Sequence, residues 1–107
     1  MIVSFQTKQL HDCCYVASVA EAQLGSAHGE ALRTLIADAE AFETAEELID
    51  LRTPDASVDV DDSLSVRIGA EWHARFVAVG QEFNRDEEGR TVWSSVRRLK
   101  LVALEPV

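Results

Sequence analysis

His73 and Arg75 stand two residues apart in Trp72-His-Ala-Arg-Phe-Val-Ala-Val79, a run in which the two kinds of side chain alternate. Alternation at a period of two reads as a strand, so both side chains leave one face of a sheet. Histidine exchanges protons near neutrality. Arginine presents a planar fork of N–H donors that fits phosphate oxygens and keeps its charge. Arg67, in the preceding alternating run Leu64–Ile68, can reach the same face, and Arg98 and Lys100 share a face of the last such run. A phosphate over this surface would meet His73 as acid or base, with Arg67, Arg75 and Lys100 stabilising developing charge. Arg97 and Arg98 would hold neighbouring nucleic-acid phosphates. Plainer roles are open to the same residues. Arg67 and Arg75 could pair with carboxylates across strands. His73 could be a half-buried strand histidine. The run Arg97-Arg98-Leu99-Lys100 could charge an edge strand against aggregation. His11 and His28 fall on polar parts of helices, and Trp72 and Trp93 suit the core or its margin.

These residues need a sheet with one open face. Ile2 to Phe5 reads as a short opening strand. Thr7 can cap a helix whose apolar residues, from Leu10 through Cys13 or Cys14 and Ala17 to Leu24, recur at helical spacing, and Gly25 ends it. Ser26 restarts a second helix with a stripe of Leu32, Leu35, Ile36, Ala39 and Phe42. Thr44-Ala-Glu-Glu47 has the capping-box pattern ahead of a further turn or two, closed by Pro54. Residues 55–63 form an acidic connection in which Val58 and Val60 could mark an edge strand. Strands at 64–68, 72–79 and about 96–105 follow, with a polar loop over 80–91. The expected fold is a single α+β domain over residues 1–107: an N-terminal strand, a two-helix hairpin, then a C-terminal antiparallel sheet with helices on one face.

The chain of 107 residues carries a net charge of −9, which disfavours a nucleic-acid binder at first sight. The charge is uneven. Residues 1–63 hold thirteen carboxylates and three bases, whereas residues 64–107 hold six and seven. An acidic helical face would have to point away from any phosphate site. Cys13 and Cys14 are adjacent, a poor geometry for a disulfide, so one is expected buried and the other near the surface, in a reducing cytoplasm. No metal site, cofactor or membrane span is expected, and the N-terminus does not read as a signal peptide.

Four segments in order resemble the RelE/ParE superfamily of bacterial toxins, and the HigB-like killer proteins within it. They are Met1-Ile-Val-Ser-Phe-Gln-Thr-Lys-Gln-Leu10; Gln23-Leu-Gly25; the pair Leu64-Ser-Val-Arg-Ile-Gly69 and His73-Ala-Arg-Phe-Val77; and Val92-Trp-Ser-Ser-Val-Arg-Arg-Leu-Lys-Leu101. The resemblance implies a RelE/ParE-like fold and a cognate antitoxin encoded beside the gene. It implies a type II toxin, usually one that cuts mRNA on the translating ribosome by directing the RNA 2′-hydroxyl at the adjacent phosphate. Arg67, His73, Arg75 and Lys100 would be the catalytic set. Cutting members are commonly basic and often keep a His or Tyr near the C-terminus, where this chain has Val102-Ala-Leu-Glu-Pro-Val107. Two alternatives stand beside cleavage: a gyrase-inhibiting toxin, and an inactive toxin-like module that only binds an antitoxin. The antitoxin is expected on the sheet half.

Overall fold

The computed structural model describes residues 1–107. Strand β1 (Ile2–Phe5) leads into helices α1 (Lys8–Tyr15), α2 (Ala17–Leu24), α3 (Ser26–Ala41) and α4 (Ala45–Arg52). Strands β2 (Ala56–Val58), β3 (Leu64–Ile68), β4 (Trp72–Ala78) and β5 (Arg98–Pro106) follow. The five strands form one sheet in the order β1-β5-β4-β3-β2. β2 through β5 pair antiparallel with their neighbours, and β1 runs parallel to β5. The α+β class and the helices-on-one-face arrangement hold, with a mixed rather than purely antiparallel sheet.

Pairing explains which side chains are inside. Leu64, Val66 and Ile68 of β3 and Ala74 and Phe76 of β4 are buried, with Leu99 and Leu101 of β5. They join Leu32, Leu35, Ile36 and Ala39 of α3 and Leu48 of α4 in one core of 18 buried residues. Trp72 and Trp93 pack against its margin. No helix is long and apolar enough to cross a membrane.

Four expectations are corrected. The helix from Thr7 to Leu24 breaks at Val16, which is extended (φ −115°, ψ 107°) and donates its N–H to Asp12 O. Cys13 and Cys14 are both buried. Neighbouring helical positions are about 100° apart, but α1 is wedged against β1, β5, α2 and α3, so more than one flank is covered. Thr44 caps α4 without making the reciprocal box: its hydroxyl donates to the Glu47 carboxylate at 3.3 Å. β5 lies between β1 and β4, so Arg98 and Lys100 do not guard an edge. The edge strands are β1 and β2, and Val60 beyond β2 is 98% exposed. Gly25 joins α2 to α3 at φ +85°, which a side chain would resist.

One irregularity decides the site. Phe76 pairs with Leu101 but Arg75 pairs with Ala103, so β5 carries one extra residue, Val102. Such a bulge exchanges the faces of everything beyond it. Leu101 and Leu104 therefore both face the helices despite being three apart, and Glu105 is delivered to the open face.

Candidate functional site

Register places the open-face residues in rows. Arg67, His73 and Glu105 stand side by side on β3, β4 and β5. The next row is Ser57, Ser65, Arg75 and Ala103. Directly opposed side chains in such rows are about 5 Å apart at Cβ. Arg67, His73 and Arg75 thus line one cleft of about 940 Å³. Its other wall is the connector, which contributes Asp55, Asp59 and Asp61.

Three of the four expected catalytic residues meet in this cleft. Lys100 pairs with Val77 and Ser4, one row and about 7 Å of strand rise beyond Arg75, and does not line the cleft. Arg98 lies a further row along, opposite Ile2. Arg97 and Arg98 border a separate depression of about 410 Å³ with Gly80, Phe83 and Ser95. Arg97 comes within 4.0 Å of Glu43, both well exposed.

The cleft is not simply cationic. Arg75 Nη2 lies 2.8 Å from Glu105 Oε1. The contact joins the charges without hydrogen-bond alignment, because Arg75 Nε and Glu105 Oε1 are both buried and without a hydrogen-bond partner. Arg67 is exposed and makes no ion pair; its backbone N–H donates to Asp55 O at 2.9 Å. The aspartates are held by serines. Ser65 Oγ donates to Asp59 Oδ2 at 2.5 Å, and Ser63 Oγ to Asp61 Oδ1 at 2.6 Å. The Ser63 hydroxyl, its backbone N–H and the charge of Arg75 keep the Asp61 carboxyl below its usual pKa. The acid of the first half therefore does not all point away, since its last segment forms the cleft rim.

That rim is pinned by the loop between β4 and β5. Asp62, at φ +67°, accepts from Thr91 N at 3.0 Å and Thr91 Oγ1 at 2.6 Å. Arg85 reaches Asp62 at 3.5 Å, and Arg90 donates to Asp59 O at 3.1 Å. Two of the arginines that made the second half look basic are therefore loop fasteners. His11 sits beside Asp12 at 3.0 Å, and His28 packs on Gly69, so neither approaches the cleft. No three His, Cys, Asp or Glu side chains are grouped closely enough to hold a metal ion.

Chemically, the cleft offers a proton-exchanging imidazole between two guanidiniums, opposed by four carboxylates. It can seat an oxyanion on Arg67 and Arg75 with His73 beside it, provided the ligand competes with Glu105. Sequence reasoning missed Glu105 and the serine-held aspartates. A signal for Glu105 existed: Leu99, Leu101 and Leu104 are spaced by two and then three, the slip a bulge produces. No family model matches the chain, and neither a curated protein nor a solved structure is found to be similar to it.

Proposed function

We propose that the chain is the toxin member of a RelE/HigB-like toxin–antitoxin pair and cuts mRNA on the translating ribosome. The observation that carries this reading is the meeting of Arg67, His73 and Arg75 in one cleft on an uncovered sheet face. In it His73 moves the proton of the 2′-hydroxyl or of the leaving oxygen, and the two arginines stabilise the charge on phosphorus-bound oxygens. Lys100 and Arg98 lie farther along β5, with Arg97 just before it, for flanking backbone. A cognate antitoxin from the adjacent gene covers the open face. The four-segment resemblance supports the RelE/ParE-like topology that this reading requires.

The test is induction from a tightly repressed promoter, with cleavage of a reporter mRNA mapped by primer extension. Wild type is expected to arrest growth and cut the message, and Arg75→Ala and His73→Ala to do neither. Harmless expression of folded wild type with intact message sinks the nuclease reading. A second reading then applies, that of a module which binds an antitoxin without chemistry. The Arg75–Glu105 contact and the aspartate rim favour it, because both lower the positive potential an RNA phosphate would need. Retention of the neighbouring gene's product by the folded chain supports that second reading.

A further inference from the structure

We propose that Glu105 is a built-in competitor for the oxyanion site: it occupies Arg75 until a phosphate ester displaces it. This rests on the reading of the cleft as a phosphate seat and adds how that seat is regulated.

Three observations carry it. First, the carboxylate is at the nitrogen an anion most needs. A guanidinium has two bidentate edges, Nη1/Nη2 and Nε/Nη2, and both include Nη2. Glu105 Oε1 lies 2.8 Å from that atom. Second, the contact is not a finished hydrogen bond. Arg75 Nε and Glu105 Oε1 are each buried without a hydrogen-bond partner. A buried donor left in this state is unfavourable, and an incoming phosphate oxygen at the Nε/Nη2 edge would satisfy it. The resident pair thus neutralises charge while leaving hydrogen-bonding capacity for a better ligand. Third, Glu105 reaches this face only through the bulge at Val102. Without the extra residue the same carboxylate would face the helices. β5 is thus shaped so that its last acid meets Arg75 and stands opposite His73.

The ligand class follows from the edge geometry. It is a doubly oxygenated anion, a phosphate mono- or diester, small enough to lie between Arg67 and Arg75. Asp61, on the opposite wall, also feels Arg75 but is satisfied by Ser63. It is therefore the weaker competitor.

The experiment is titration of full-length protein with inorganic phosphate, followed by the ¹⁵N shift of the Arg75 side-chain Nε–H, and by the His73 ring in variants lacking Arg75. Glu105→Gln is expected to bind phosphate at least tenfold tighter than wild type, and Glu105→Gln with Arg75→Ala to lose the gain. Glu105→Asp, which withdraws the charge by one methylene, is expected between wild type and Glu105→Gln, and it carries the test should Glu105→Gln fold poorly. Equal affinity in wild type and Glu105→Gln overturns the competition while leaving the phosphate cleft standing. Weaker binding by Glu105→Gln also overturns it, by making Glu105 a positioning residue for Arg75. No binding by any folded variant overturns the phosphate cleft itself, and the competition with it.

Discussion

Replacing Asp62 with alanine should loosen the rim of the cleft without touching the residues inside it. The Asp62 carboxylate takes the Thr91 N–H and hydroxyl at 3.0 and 2.6 Å, and Thr91 is 9% exposed. Removing it strands a nearly buried N–H and two charge-assisted hydrogen bonds, a loss of about 2 kcal/mol. Alanine at φ +67° adds about 1 kcal/mol of backbone strain. The Arg85 contact, long and exposed, adds almost nothing. The total, about 3 kcal/mol, is a large part of the roughly 5–15 kcal/mol that holds a domain together. For a chain of this size it should lower Tm by on the order of 15 °C. Thermal melts followed by circular dichroism would measure it. Asp62→Asn keeps one acceptor and tolerates positive φ, so it should lose about 1 kcal/mol. Asp62→Gly relieves the strain but not the lost bonds and should fall between the two. A Tm for Asp62→Ala within about 2 °C of wild type would refute the clasp, as would Asp62→Gly melting with wild type.

Gly69→Ala should cost about 2–4 kcal/mol, because φ is +67° and the new Cβ would lie 2.5 Å from the His28 ring; urea denaturation of this variant and of its double with His28→Ala should show the second change recovering the steric part. Burial pushes the Cys14 thiol up to about 12 and raises Cys13 as well. Iodoacetamide at pH 8 should therefore leave both untouched in the folded protein and alkylate both in urea, and mass spectrometry showing rapid native labelling would contradict the packing of α1. The Asp61 carboxyl is held low in the folded state, first by the Ser63 hydroxyl. Its stabilising effect is thus present above the unfolded carboxylate value and is lost as pH falls through the folded one, below about pH 4. Ser63→Ala should move the Asp61 midpoint upward in a ¹³C carboxyl titration, and an unmoved midpoint would show that the hydroxyl is not the cause.

What the sequence revealed followed from how local each signal was. Alternation in Leu64–Ile68 and Trp72–Val79 is a property of adjacent residues, so both strands and the shared face of His73 and Arg75 could be read directly. Gly25 and Pro54 marked ends correctly because their backbone constraints are their own. The break at Val16 was hidden, since Leu10, Cys13, Ala17, Ala20 and Leu24 keep a helical rhythm through it. The burial of both cysteines depends on contacts from four elements, which no local pattern carries. The polar partners were hidden for the same reason. Thr91 is 29 residues from Asp62, and Arg75 is brought to Glu105 by a bulge in a strand starting 23 residues later. Arg85 and Arg90 counted as free positive charge in the sequence although the fold uses both.

The use of these arginines within the fold changes what the net charge of −9 means for the open face. Of the seven bases after residue 63, Arg85 and Arg90 fasten loops, Arg75 is occupied by Glu105, and Arg97 approaches Glu43. Arg67, Lys100 and Arg98 make no ion pair, and all three stand in rows of the uncovered face. An approaching polyanion would be repelled by the molecule as a whole and attracted by these three. In about 0.15 M salt the Debye length is about 8 Å, close to the 7 Å between rows. The helical carboxylates lie across the sheet and act on a bound anion over a longer distance than the cations that touch it. Local charge thus governs binding once contact is made, and net charge governs the approach. The carboxylates that matter at contact are those of the rim and Glu105, and of these only Glu105 sits on an arginine edge that a phosphate would have to take.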